Sequence, residues 1–150
     1  MSYVAFLLPA WERNAHKRLA KSPKLHFWDP GILRTLTSNT GPLTGAAFES
    51  AIVAEMLKQA MNAGLSKDAF HHLRTSDGRE IDILIELPAG YCAYEIKSAA
   101  KVRKTDARHL RNLDTILDKP VLEAAVLSRD PISRELESGI RAHSITAFLS

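Results

Sequence analysis

Apolar positions recur along this chain with two different periods. Around Pro88-Ala89-Gly90, a turn signal, two apolar-rich runs read as paired antiparallel strands, Arg79 to Leu87 and Tyr91 to Ser98. Successive strand side chains point to opposite faces. Ile81, Ile83 and Ile85 are therefore expected on one face, with Asp82, Leu84 and Glu86 on the other. Ala69 to Thr75 predicts a preceding strand, joined through Ser76-Asp77-Gly78, which carries the Asp-Gly hairpin signal. The period becomes helical after Thr44, a suitable N-cap. Phe48, Ile52, Val53, Met56 and Leu57 line one face of a helix ending near Gly64. Thr105 can cap a second helix running to about Lys119, with Leu110, Leu113, Ile116 and Leu117 inward and Pro120 ending it. Val121 to Leu127 is an apolar run suited to a buried strand. Ile132 to Glu137 reads as a helical turn or two, and Ile140 to Leu149 as a last strand.

Ahead of Thr44 the pattern is thinner. Residues 3–8 and Lys24 to Trp28 read as two short strands that could pair across a basic stretch, the second closed by Asp29-Pro30-Gly31. Ile32 to Leu36 is a helical turn or two, and Thr37 to Pro42 has loop composition. The division is a hairpin and linker over 1–42 and a domain over 43–150. From Thr44 the order is helix, three strands, helix, strand. That order predicts an α/β domain with a mixed central sheet flanked by helices.

Composition narrows the setting more than the chemistry. A chain of 150 residues is about one domain and can bury a real core. Net charge is +3, so the molecule is not a polycation, and position matters more than the total. Cys92 stands alone, which rules out an internal disulfide and fits a cytoplasmic location. Val4 to Leu8 is short, has no positive residue ahead of it and does not read as a signal peptide. No run approaches the ~20 apolar residues of a membrane span.

The chemistry concentrates on the central hairpin. Glu95 and Lys97 share a strand face, and Asp82 lies on the neighbouring strand. Carboxylates hold hard divalent cations, and an ammonium beside them can position an attacking water. The set therefore suits metal-assisted phosphodiester cleavage. Taken singly, Asp82 also reads as a structural carboxylate and Glu95–Lys97 as a surface ion pair. Glu49 borders the apolar stripe of its helix, a costly place for a charge unless a metal or a basic side chain compensates it. Lys97, Lys101, Arg103, Lys104, Arg108 and Arg111 make a basic concentration opposed only by Asp106. It reads as a phosphate-attracting patch or as a solvated helix face. Arg13 to Lys24 offers a second basic stretch. His71 and His72 face opposite ways and read as ordinary strand residues, Cys92 as core, and Trp11, Phe27 and Trp28 as packing.

Asp82, followed after twelve residues by Glu95-Ile96-Lys97, resembles the PD-(D/E)XK nuclease superfamily with its restriction-endonuclease-like fold, core order αβββαβ. More closely, the chain is similar to the C-terminal nuclease-like domain of a bacterial and archaeal family of AAA+ type ATPases. The matching stretches are Arg18 to Phe27, Asp29-Pro30-Gly31, Gly45-Ala46-Ala47-Phe48-Glu49, Glu80-Ile81-Asp82 and Glu95-Ile96-Lys97-Ser98. The resemblance implies Asp82, Glu95 and the Ile96 carbonyl as ligands of Mg2+ or Mn2+. Glu49 would complete the shell directly or through water, and Lys97 would orient the water. It also implies DNA as substrate and an ATPase module as partner. Ile81 stands where the superfamily's proline would be, and no phosphate loop occurs, so this chain is not itself the ATPase. Residues 3–29 resemble only the last hairpin of that family's winged-helix segment, which implies the tail of a larger architecture. The alternative is a DNA-binding or protein-docking domain with a vestigial site.

Overall fold

A computed structural model describes residues 4–14, 21–38 and 40–150. Its centre is a six-stranded mixed sheet. In chain order the strands are β3 (Phe70–Arg74), β4 (Glu80–Leu87), β5 (Gly90–Lys97), β6 (Val121–Ser128), β7 (Arg134–Glu137) and β8 (Ile140–Ser144). In space they run β3-β4-β5-β6-β8-β7. The first three form the expected antiparallel meander, β6 lies parallel to β5 and to β8, and β7 closes the edge antiparallel to β8. The architecture is the expected α/β mixed sheet flanked by helices. Among the described residues no helix is long and apolar enough to cross a membrane.

Each sheet face carries its own core. The first face packs on α2 (Gly45–Asn62), where Thr44 accepts the Ala47 N–H as N-cap and Val53, Met56 and Leu57 turn inward. They meet Phe70, Ile83, Tyr94, Ile96 and Leu127. On the second face lie Ile81, Leu84, Tyr91, Ala93 and Val126 under Val102, Ala107, Leu110, Leu113 and Leu117. That cover departs from expectation, because the predicted helix from Thr105 to Lys119 is absent. Lys104–Leu110 winds as a 3-10 helix, Asn112 takes a left-handed conformation (φ 53°), and a second 3-10 turn covers Leu113–Thr115. Asn tolerates that conformation better than most residues. The apolar spacing Ala107, Leu110, Leu113 repeats every three residues, and so suits a 3-10 winding as well as an α-helix. The leucines still point inward.

Two other elements differ near the C-terminus. Arg134–Glu137 is a strand, not a helical turn, because Ser138-Gly139 folds it back on β8, with Gly139 at φ 76°. Strand β8 stops at Ser144, and Ile145–Phe148 forms a short helix, α3, that packs Ile145 and Phe148 into the α2-side core.

The N-terminal segment joins the sheet. Strands β1 (Ala5–Leu8) and β2 (Lys24–Phe27) pair antiparallel as expected, and Pro30–Leu36 forms α1. Beyond β1 the chain docks on the outer edge of β3. Trp11 N donates to His72 O (2.7 Å) and His72 N to Pro9 O (2.9 Å). Trp11 itself is buried, edge-on to Tyr91.

Gly90 is required by close approach. A Cβ there would lie 2.2 Å from the Pro120 carbonyl, which accepts the Tyr91 N–H at 2.8 Å. Gly90→Ala is expected to destabilise the fold by about 1–3 kcal/mol through overpacking. Urea unfolding checks this, and a loss below about 0.5 kcal/mol would show that the β5–β6 connection yields easily.

Candidate functional site

The site forms where β4 and β5 stop pairing. Their ladder ends at Ile83–Tyr94. One step further, the Asp82 carboxylate replaces the ladder, its Oδ2 accepting the Ile96 N–H at 2.8 Å. A register shift puts Asp82 there. Two steps along β3, from His71 to Leu73, oppose three along β4, from Leu84 to Ile81. A bulge of this kind reverses the facing of everything beyond it. Ile81 therefore lies with Leu84 on the second face, and Ile83 with Ile85 on the first. The expected grouping of Ile81 with Ile83 and Ile85, and of Asp82 with Leu84, is corrected by the bulge. Asp82 turns toward α2 and Glu49.

Three carboxylates converge. The charge of Asp82 acts on both Glu49 and Glu95, and Lys24 bridges Asp82 to Glu49. Asp82 and Glu95 are buried, and Glu49 and Lys97 are half-buried. Burial, and next the charge of Asp82, raise the Glu95 carboxyl to about 8; the same two causes raise Glu49. Lys97 Nζ lies 3.8 Å from Glu95 Oε2, on the shared face the alternation predicts. The structure thus brings Glu49, Asp82, Glu95 and Lys97 together from α2, β4 and β5.

Three members are not evident in the sequence pattern. Lys24, from β2, places its Nζ 3.1 Å from Glu49 Oε1 and 3.2 Å from Asp82 Oδ1. Burial works to lower its ammonium, but Asp82 and Glu49 outweigh that and hold it above its ordinary value. This is the basic compensation that the position of Glu49 demanded. His26, two residues on and so on the same face of β2, meets Ser50 Oγ through Nδ1 at 2.9 Å. Burial, then the charge of Lys24, lower His26 to about 4, so it is neutral at pH 7. His109 Nδ1 lies 2.9 Å from Glu95 Oε1 and 3.1 Å from Glu80 O, while Arg108 Nε donates to His109 Nε2 at 3.2 Å. The Glu80 N–H also donates to Nδ1, at 3.4 Å, so His109 ties the start of β4 to Glu95. The only signal for Lys24 and His26 is their alternation toward one face of a short strand, which does not name a partner.

Carboxylates are the donor type that a hard divalent cation takes, and Glu49, Asp82 and Glu95 supply three of them. Among the described residues, however, no three such side chains already stand as an ion-holding group. Lys24 spans Glu49 and Asp82, and Glu95 is turned to His109. The Ile96 contact in place is through its N–H.

The basic residues divide. Lys101, Arg103, Lys104 and Arg108 are exposed at and just before the 3-10 segment, and Arg108 donates to His109 beside Glu95. Arg111 is instead clamped by Glu137, at 2.6 Å through Nε and 3.0 Å through Nη2. At the N-terminus, Arg13 donates to Ile116 O (2.9 Å), Lys21 pairs with Glu12 and donates to Arg74 O, and Lys24 turns to the acids. Lys17 and Arg18 lie outside the described residues.

Asp130 fixes the start of this basic segment. Its carboxylate accepts from Val102 N (2.9 Å), Ile132 N (3.0 Å) and Arg134 Nη1 (3.0 Å). These bonds, the two backbone N–H groups first, lower it from 3.8 to about 2. A carboxyl lowered in the folded state stabilises above its unfolded value, and that contribution fades as pH falls through the folded one. The stability gap between parent and Asp130→Asn is therefore expected to be full at pH 6 and to close near pH 2, by urea unfolding across about that range. A gap independent of pH would overturn the assignment.

No solved structure matches the chain. The uncharacterized proteins Mb2031c of Mycobacterium bovis and Rv2008c of Mycobacterium tuberculosis are each 28% identical over 97 residues. The match covers 60% of this chain but 21% of either relative, so the chain corresponds to about a fifth of their length. A family model described as a domain of unknown function, DUF8612, matches residues 1–43. The model described as domain of unknown function DUF4143 matches residues 44–148, which contain α2, the whole sheet, Glu49, Asp82, Glu95 and Lys97, and the chain belongs to that family.

Proposed function

We propose that this domain hydrolyses phosphodiester bonds of DNA with the help of a divalent cation, as a divergent member of the PD-(D/E)XK nucleases. The observation that carries this reading is the meeting of Glu49, Asp82, Glu95 and Lys97 where β4 and β5 part. Glu49, Asp82, Glu95 and the Ile96 carbonyl would hold Mg2+ or Mn2+. The ion supplies Lewis acidity and lowers the pKa of a bound water. Lys97, partly exposed beside Glu95, orients that water and offsets charge growing on the phosphate. Lys101, Arg103, Lys104 and Arg108 give the duplex backbone an electrostatic seat without reading sequence. Arg111 contributes there only if it leaves Glu137. The test is cleavage of single- and double-stranded DNA with Mg2+ or Mn2+, parent against Lys97→Ala. Cleavage that is lost in the folded variant supports the reading.

One observation favours a second reading. Lys24 already pairs with two of the three acids, so the fold holds them without a metal. A domain that binds DNA or docks a partner AAA+ ATPase, with a vestigial site, would be built this way. It predicts no cleavage by either protein and no change in melting temperature with Mg2+.

A further inference from the structure

Lys24 reaches the acids from outside the sheet and α2 that hold them. It opens β2, and β2 belongs to the two-stranded N-terminal hairpin. Its Nζ is within hydrogen-bond distance of Glu49 and Asp82 at once. His26, on the same strand face, seats the hairpin on α2 through Ser50, the residue next to Glu49. Two polar contacts, two residues apart on the strand, thus fasten β2 beside the site.

The charges make that contact exclusive. An ammonium brings one positive charge to Glu49 and Asp82, whereas a divalent ion brings two. Two cations sharing the same two oxygens repel strongly at such separations. Metal on Glu49 and Asp82 and Lys24 on Glu49 and Asp82 are therefore alternative states.

Resting on the metal reading above, we propose that Lys24 is the resident counter-ion of the site and that the N-terminal hairpin thereby gates cation entry. In the closed state the ammonium holds Glu49 and Asp82 together. In the open state Lys24 withdraws, the hairpin loosens at Lys24 while His26 keeps it on α2, and the oxygens are free for the ion. Such a gate links metal loading to whatever pulls on the hairpin.

The test uses the full chain and Mn2+ alone. Binding is followed by the electron paramagnetic resonance of free Mn2+, with parent and Lys24→Met compared. Lys24→Met is expected to bind Mn2+ at least about tenfold tighter, because a competing charge is gone. In the parent, Mn2+ is expected to raise acylation of Lys24 by acetic anhydride relative to exposed Lys67, read by mass spectrometry. This second measurement decides the question if Lys24→Met does not fold. Mn2+ binding equal in both proteins, with Lys24 acylation unchanged, overturns the gate and leaves the metal site standing. Absence of Mn2+ binding by both folded proteins overturns the metal site itself, and the gate with it.

Discussion

Lys97→Ala is expected to lose DNA cleavage by at least about 100-fold, the scale of a positioned proton-transfer or charge-stabilising group. Its melting temperature should stay close to the parent's. The two expectations come from different features of one side chain. Lys97 is partly exposed, and its ion pair with Glu95 is 3.8 Å long. Pairs of that kind contribute about 0–1 kcal/mol to stability. Removing the ammonium therefore leaves the fold in place, and it removes the cation paired with Glu95, which a phosphate could meet directly. Asp82 behaves differently. Its Oδ2 is the acceptor for Ile96 N–H, in a place where the ladder has ended. Asp82→Ala is expected to lose activity and stability together, while Asp82→Asn keeps an acceptor and loses the charge. Cleavage assays paired with thermal unfolding separate these outcomes. Equal cleavage by parent and Lys97→Ala would sink the site.

Trp11→Ala carries the largest expected effect on stability, about 3–5 kcal/mol, the usual cost of emptying a large aromatic site. Trp11 is only 2% exposed although it precedes the domain that the family model matches. It packs at 5.7 Å and 87° on Tyr91 and donates its Nε1 to the Tyr91 hydroxyl at 3.1 Å. The Tyr91 hydroxyl in turn donates to Asp118 Oδ1 at 2.6 Å. The indole thus caps the second core and ties the N-terminal segment to β5 and to the segment ahead of β6. Trp11→Phe should recover most of the packing and lose the hydrogen bond, about 1 kcal/mol. Urea unfolding of the two variants measures both quantities. A loss under about 1 kcal/mol in Trp11→Ala would show that residues 4–14 sit on the sheet without supporting it. The stated loss would mean that the gate formed by Lys24 hangs from a segment fixed at Trp11.

Local pattern carried much of this molecule. The alternation from Arg79 to Ser98 located β4, β5 and their turn, and the helical spacing from Thr44 located α2 together with its cap. Both signals are dense, and each has a turn or cap residue at its end. The segment from Thr105 to Lys119 misled because apolar residues three apart satisfy an α-helix and a 3-10 winding alike. Arg134–Glu137 misled because four residues carry too short a pattern to fix a period, and its partner β8 decided it.

The sequence by itself determined the mixed α/β sheet, the long capped helix, and the presence of Asp82, Glu95 and Lys97 on adjacent strands with Glu49 at the margin of an apolar stripe. Those are local properties, set by which side of a strand or helix a residue occupies. Tertiary structure alone decided that Asp82 faces α2, since the extra residue of β4 opposite His72 depends on how β3 and β4 pair. It alone decided that Arg111 belongs to Glu137, that His109 meets Glu95, and that Lys24 spans Glu49 and Asp82. These partners are 14 to 58 residues apart. The free energy that selects them is the cost of leaving charge unpaired near a buried face, and it acts only once the chain has folded.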